Sequence, residues 1–249
     1  MIDNRAAFYD AWRASFGPLT QSQVGGINVL LAEMTVQAWN DPRWWAYTLA
    51  TAHHETGGQM VPVKETVFGS SDNRNPTDDQ VKTKLENAWK AGQLSWVKTP
   101  YWRDGWFGRG LVQLTHEANY RKLGQRLGLD LIGNPDLALD PDIAARILCV
   151  GMSEGLFTGK ALTDYFDADS NDPRQARRIV NGMERSALIA SYHTKALAAV
   201  LAGWGAEAVP DPIVADLQAR LAALEAWAAS VNASLDYLEK FDARTPPIA

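Results

Sequence analysis

Cysteine is almost absent from this sequence. The 249 residues include a single cysteine, Cys149, so no disulfide can form within the chain. Cys149 lies in the apolar stretch 147–150, which predicts a buried structural thiol. The fold therefore has to be stable without disulfides, as is usual for proteins made in a reducing compartment.

Long apolar runs and clusters of basic residues are also absent. No stretch of 18 apolar residues occurs, which argues against a transmembrane helix. The first residues, Met1 to Arg5, show neither the basic region nor the apolar region of a secretory signal. The net charge is −5, and no run of Lys or Arg suggests nucleic-acid binding.

Regular strand alternation is missing, whereas helical periodicity extends over most of the chain. The predicted helices cover 3–15, 20–39, 42–55, 78–91, 111–127, 141–156, 173–181 and 186–202. Thr20 and Gln23 form a predicted capping box, and Gly57-Gly58 ends the third helix. We predict a mainly α fold with at most a small hairpin. The span 59–108 is expected to form loops along one wall of a cleft.

The C-terminal part differs in character from the rest. We predict a domain over 1–204, a linker over 205–212, an amphipathic helix over 213–241 and a flexible tail over 242–249. Apolar residues in the helix follow heptad spacing: Val214, Leu217, Leu221, Leu224, Ala228, Val231, Leu235 and Leu238. This pattern favours either a coiled-coil homo-oligomer or a helix that folds back onto the domain.

The first chemical motif is the run His53-His54-Glu55-Thr56-Gly57-Gly58. Glu55 ends an apolar helix, where low polarity and the negative end of the helix dipole favour a neutral carboxylic acid. That property suits a general acid, although an acidic residue at a frayed helix end is the simpler interpretation. His53 and His54 are adjacent and point about 100° apart on a helix, so a shared zinc site is disfavoured.

Two further motifs carry polar side chains suited to sugars. In 107–115, glycines flank Arg109 and are followed by Gln113 and Thr115, with Asn119 and Tyr120 one helical turn later. Amide and hydroxyl groups at this spacing suit hydrogen bonds to sugar hydroxyl and N-acetyl groups. Asn181-Gly182 closes a later predicted helix. Taken separately, these motifs also fit glycine turns and helix caps.

Taken together, the motifs resemble the family 19 chitinases, and more closely the phage endolysins that share their fold. The resemblance covers about residues 25–202. It includes the motifs already quoted, together with 134–137 (Asn-Pro-Asp-Leu) and 180–182 (Val-Asn-Gly). It implies a bilobal, lysozyme-like helical domain with a substrate groove between the lobes. The C-terminal heptad helix has no counterpart in it.

The resemblance also implies roles for individual residues. Glu55 is the expected general acid, Glu65 the expected general base, and Thr115 the residue that orients the attacking water. Asp72, Asp78, Glu86 and Asp104 are rival candidates for the base. Residues expected to bind substrate or organise the carboxylates are His54, Arg109, Gln113, Asn119, Tyr120, Asn181 and Arg185. No metal or organic cofactor is expected.

The expected activity is hydrolysis of β-1,4 bonds in a polysaccharide with inversion, for which the carboxyl groups should lie about 6.5–9.5 Å apart. Peptidoglycan is the favoured substrate and chitin the alternative. The sequence features fit a phage or prophage lysin that is made in the cytoplasm and acts on the cell wall after release. A catalytically silent sugar-binding module and a phage structural protein are the other two interpretations.

Overall fold

The computed structural model describes residues 1–65 and 76–205, and helices dominate this part of the chain. The α-helices are α1 (Arg5–Phe16), α2 (Gln21–Val36), α3 (Pro42–Glu55), α4 (Asp78–Lys90), α5 (Glu117–Leu127), α6 (Pro141–Ser153) and α7 (Ser186–Gly203). The predicted mainly α fold is therefore confirmed. None of the described helices is long and apolar enough to span a membrane.

Helix α3 lies at the centre of the domain. Asp41 caps its start by accepting a hydrogen bond from the backbone N–H of Arg43, and Pro42 occupies the first turn, where no backbone donor is needed. Every residue of 45–52 is buried, so this helix is surrounded on most sides. It packs against α7, which also packs against α1, while α2 packs against α6. The helix that ends at Glu55 is thus firmly held.

Two apolar clusters form the interior. The larger cluster draws on α1, α2, α3, α6 and α7 and contains the buried thiol of Cys149, as predicted. The smaller cluster joins Val81 and Leu85 of α4 to Trp102 and Phe107. Part of the span predicted as cleft-wall loops therefore has an apolar core of its own, which α4 and the segment 101–107 share.

A small two-stranded antiparallel sheet is the main β structure among the described residues; we call it the hairpin, although residues 65–108 separate its strands. Strand β1 (Val63–Lys64) pairs antiparallel with β2 (Arg109–Gly110), in the register Val63 to Gly110 and Lys64 to Arg109. The prediction of at most a small hairpin agrees with this sheet. Its strands pair the second sequence motif with residues 63–64, which follow the first motif after a short segment.

Two predicted helices need correction. The helix predicted over 111–127 begins only at Glu117, because Gly110, Gln113 and His116 all have positive φ angles that an α-helix does not accept. The segment 173–181 contains a 3-10 helix, Gln175–Ile179, rather than an α-helix. The linker, the heptad helix and the tail predicted over 205–249 lie outside the described residues, apart from Gly205.

Candidate active site

Glu55 is the last residue of α3, and it is held by an arginine from a distant part of the chain. Its Oε1 atom accepts a hydrogen bond from Nη1 of Arg177 at 2.6 Å. The two side chains are 14% and 6% exposed. A charge-assisted hydrogen bond of this kind fixes the orientation of the Glu55 carboxyl group.

Histidine and aromatic side chains surround this carboxylate. Burial lowers the pKa of His54, while the negative charge of Glu55 raises it and the positive charges of Arg177 and Arg185 lower it. His54 lies beside Tyr192, with 6.4 Å between ring centroids. Arg185, exposed at the start of α7, therefore acts on this region through its charge.

The segment 56–62, which follows Glu55, is fixed against α2. The Thr56 hydroxyl donates to the Ala52 carbonyl at 2.7 Å and accepts from the Met60 N–H at 3.0 Å. Gln23 of α2 donates to the Gly58 carbonyl at 2.8 Å. A Cβ atom on Gly26 of α2 would lie 1.8 Å from the Met60 carbonyl oxygen, so only glycine fits there. The backbone that leads from Glu55 towards Glu65 is thus held against α2.

Glu65 lies just after β1 and is held by two neutral donors. Its Oε1 accepts from the Tyr101 hydroxyl at 2.8 Å, and its Oε2 accepts from the Gly108 N–H at 2.7 Å. The backbone N–H of Glu65 donates to the Gly108 carbonyl at 2.7 Å. Burial raises the pKa of Glu65, and the hydrogen bonds from Gly108 and Tyr101 act in the opposite direction. The carboxyl group therefore has a fixed orientation.

Gln113 braces the hairpin. Its Nε2 donates to the carbonyls of Val63 at 3.0 Å and Gly110 at 3.3 Å. A Cβ atom on Gly108 would lie 2.8 Å from Gln113 Oε1, which explains the first glycine of the Gly-Arg-Gly motif. Nearby, Asn119 Nδ2 donates to the Thr115 carbonyl at 3.0 Å. Glu65 and Gln113 therefore both border Gly108, and Asn119 lies beside Thr115.

Four charged side chains support the hairpin. Arg109 Nε lies 2.6 Å from Asp136 Oδ1, and its Nη2 lies 3.1 Å from Asp78 Oδ2. Lys64 Nζ lies 2.7 Å from Asp78 Oδ1 and 3.3 Å from Asp136 Oδ2. Burial raises the pKa of Asp136, but the contacts with Arg109 and Lys64 outweigh it and lower that pKa overall. Two cations and two anions thus tie both strands to α4 and to the Pro135–Leu139 turn.

Arg109 and Tyr120, two of the predicted site residues, are buried. Their exposed fractions are 2% and 0%, so neither side chain is placed to contact a polymer. The Tyr120 hydroxyl donates to the Phe107 carbonyl at 3.0 Å and accepts from Arg109 Nη1 at 3.3 Å. Arg109 does organise carboxylates, but they are those of Asp78 and Asp136. Both residues support the hairpin from beneath.

The rival candidates for the base have other surroundings. Asp78 belongs to the four-charge network. Glu86 pairs with Arg103, and hydrogen bonds from Arg103 and Trp102 lower its pKa to about 2. Asp104 is exposed, and Asp72 lies outside the described residues. Among the described candidates, Glu65 is the carboxylate held by both the hairpin and a tyrosine.

The remaining predicted residues lie near Arg177. Asn181 is exposed, and its N–H donates to the Arg177 carbonyl at 3.0 Å. Sequence reasoning assigned no role to Arg177, Tyr101 or Lys64, because no local pattern marks their partners. Asp136 is the third residue of the motif Asn-Pro-Asp-Leu (134–137). Its ion pairs with Lys64 and Arg109 account for an acidic residue at that position.

Comparison with known proteins points to one class of enzyme. Residues 41–149 match the model of glycoside hydrolase family 19, chitinase class I. This segment contains Glu55, Glu65 and the hairpin, but it ends before Arg177 and Asn181. The similarity supports a glycosidase, in agreement with the sequence prediction.

Several plant proteins show the same similarity over short segments. Chitinase 11 of Oryza sativa subsp. japonica is 55% identical over 42 residues, or 16% of each chain. Acidic endochitinase pcht28 of Solanum chilense is 52% identical over 46 residues, or 17% of this chain and 18% of the relative. The acidic 26 kDa endochitinase of Solanum lycopersicum is 45% identical over 58 residues, or 22% and 23%. The chain therefore spans less than a quarter of the length of these relatives.

Proposed function

We propose that this protein hydrolyses β-1,4 glycosidic bonds between N-acetylated amino sugars. One observation carries the proposal. The segment similar to chitinases contains two carboxylates, Glu55 and Glu65, each held by its own set of partners at opposite ends of a braced segment. A pair of carboxyl groups, one acting as acid and one as base, is what glycoside hydrolysis requires.

Glu55 is the proposed general acid. It gives its proton to the glycosidic oxygen, so that the leaving sugar departs as an alcohol and Glu55 becomes a carboxylate. Arg177, at 2.6 Å, then stabilises the charge left behind. Before the next turnover, Glu55 must regain a proton from the solvent.

Glu65 is the proposed general base. Tyr101 and the Gly108 N–H leave it fixed as a hydrogen-bond acceptor. It takes a proton from a water molecule that attacks the anomeric carbon, and Thr115 orients that water. Attack on the face opposite to the leaving group inverts the anomeric centre. Gln113, Asn119, His54 and Asn181 are proposed to contact the sugars.

Chitin is the substrate class that the plant relatives favour, since each of the three is named a chitinase or endochitinase. Peptidoglycan is the second candidate. Its glycan contains the same β-1,4-linked N-acetylglucosamine, and every second sugar bears a carboxylate. A specific observation favours it, namely a depression beside Asn181 that two cations line. The phage-type lytic role predicted from the sequence depends on this second substrate.

The decisive experiment measures release of reducing ends from chitin hexamer and from purified peptidoglycan. The wild-type protein should act on at least one of them. The Glu55→Gln variant should lose activity by a factor of about 10²–10⁴. Glu117→Gln, which changes an exposed carboxylate paired with Arg121 on α5, serves as the matched control. A folded wild-type protein inactive on both substrates would refute the proposal and favour a silent sugar-binding module.

The stereochemistry of the product gives an independent test. Proton NMR during the first minutes of hydrolysis should show the α-anomer forming from the β-linked substrate. A β-anomer as the first product would contradict the role of Glu65 as base and make it a nucleophile instead.

Self-association through 213–241 is a further proposal that rests on the heptad pattern alone. Linked catalytic domains would bind an insoluble polymer with greater avidity. Light scattering of the full chain should give a dimer or larger species, and Leu221→Asp should convert it to a monomer. A monomeric wild-type chain would favour a helix that folds back onto the domain.

A further inference from the structure

A shallow depression of about 440 Å³ lies on the surface beside the segment that holds Glu55. Seven residues from two segments line it: Thr158, Lys160, Arg178, Val180, Asn181, Gly182 and Met183. The Thr158 hydroxyl donates to the Arg178 carbonyl at 2.6 Å and so fixes one segment to the other. The depression is therefore formed by a defined backbone arrangement.

The charge of this depression is opposite to that of the whole protein. The chain carries a net charge of −5, yet two cations and no carboxylate line this surface. Among residues 1–65 and 76–205, no acidic side chain forms an ion pair with Lys160 or Arg178. Arg178 Nε donates to Gln175 Oε1 at 2.9 Å, which orients the guanidinium and leaves its two terminal nitrogens as donors.

The depression also adjoins, along the chain, the residue that holds Glu55. Arg178 directly follows Arg177, whose side chain holds Glu55. Asn181 lines the depression, and its N–H is bonded to the Arg177 carbonyl at 3.0 Å. The segment 177–181 is thus shared by the support of Glu55 and the lining of the depression.

We propose that Lys160 and Arg178 form a subsite for a carboxylate carried by the sugar polymer. The ligand class is an acidic amino-sugar glycan, in which a lactyl ether or a peptide attached to it supplies the carboxylate. Neutral chitin has no group for these cations to bind. The inference rests on the proposed hydrolase function and selects the second substrate candidate over the first. Arginine and lysine together provide both directed donors and a point charge for such a group.

Binding to an inactive form tests the subsite without relying on catalysis. Calorimetry in the Glu55→Gln background would compare chitotetraose with the tetrasaccharide of alternating N-acetylglucosamine and N-acetylmuramic acid. We expect the acidic tetrasaccharide to bind more tightly. Because each exposed ion pair contributes a modest amount, Lys160→Gln combined with Arg178→Gln should reduce the affinity ratio about tenfold. The advantage should also shrink as salt is raised.

The control combines Lys98→Gln with Arg146→Gln, which removes the same charge at exposed positions away from the depression. It should keep the affinity ratio of the parent. Equal affinity for both tetrasaccharides, or an equal loss in test and control variants, would overturn the carboxylate subsite.

Activity assays separate this inference from the proposed function. If chitin hexamer is cleaved while the acidic glycan is neither bound nor cleaved preferentially, the subsite is refuted and the hydrolase stands. If neither substrate is cleaved but the acidic tetrasaccharide still binds through Lys160 and Arg178, the hydrolase is refuted and the subsite stands.

Discussion

The two candidate catalytic carboxylates are held in different ways. Glu55 ends a long buried helix and meets a charged partner, Arg177, that lies 122 positions further along the chain. Glu65 follows a two-residue strand and is held by neutral donors, the Tyr101 hydroxyl and the Gly108 N–H. The first depends on packing of the main core, and the second on a hairpin that buried charges support.

The roles proposed for the two groups make different demands on their surroundings, and the hydrogen bonds from Tyr101 and Gly108 counter the burial that raises the pKa of Glu65. A general acid leaves a negative charge after it donates its proton, and a nearby guanidinium stabilises that charge. A general base must already be ionised and correctly aimed, and two hydrogen bonds to separate oxygens fix its direction without a permanent counter-ion. Variants of the two carboxylates and of their partners separate the role of Glu55 from that of Glu65.

The largest expected effect comes from Glu65→Gln. Loss of the base should lower kcat by about 10²–10⁴, measured with chitin hexamer. Added azide, a nucleophile that needs no base, should restore turnover in this variant. It should not restore Glu55→Gln, which instead should retain activity on aryl glycosides whose leaving groups need no proton. Azide rescue of Glu55→Gln alone would reverse the two assignments.

The second effect is on stability. Asp136→Asn removes one anion from the network and leaves the buried Lys64 and Arg109 to share Asp78. We expect a loss of about 2 kcal/mol in the free energy of unfolding, or about 4–8 °C in Tm. Glu117→Gln, which breaks only an exposed pair, should shift Tm much less. Equal shifts would show that the network does not stabilise the hairpin.

The third effect is a pH shift. Tyr101→Phe removes a hydrogen bond that lowers the pKa of Glu65, so this pKa should rise. Since the base acts in its ionised form, the acidic limb of the kcat/KM profile should move to higher pH, and kcat should fall about tenfold. Trp96→Phe, at an exposed position in the same segment, should leave the acidic limb in place. An unshifted acidic limb in Tyr101→Phe would show that Tyr101 does not set the pKa of Glu65.

The last effect concerns the acid stability of α3 and α7, the helices that carry His53 and His193. Burial lowers the pKa of His53 and of His193 to about 4, from 6.5. The unfolded chain therefore binds more protons between these values, and stability should fall as pH decreases from about 6.5 to about 4. Hydrogen exchange should show faster opening of α3 and α7 at pH 5 than at pH 7. The loss should be smaller in His193→Gln, and protection that is unchanged between pH 7 and pH 5 would contradict the assignment.

Much of the fold could be predicted from local pattern. Periodicity and caps located α2, α3 and α4 to within a few residues of their ends, because helix ends depend on nearby side chains such as Thr20 and Gln23. The same reasoning failed at 111–116. There Gln113 and His116 have positive φ angles, and the backbones of Arg109 and Leu114 pair with each other across a turn instead of starting a helix.

The sequence by itself determined the mainly α fold and the lack of disulfides; its motifs marked Glu55, and the family resemblance pointed to Glu65. Only the tertiary structure decided what surrounds them. Arg177 reaches Glu55, Tyr101 reaches Glu65, and Tyr120 turns inward although its motif suggested a sugar contact. The physical reason is the distance along the chain over which each kind of interaction acts. Helix periodicity and capping act over a few residues, whereas ion pairs and burial depend on how distant segments pack.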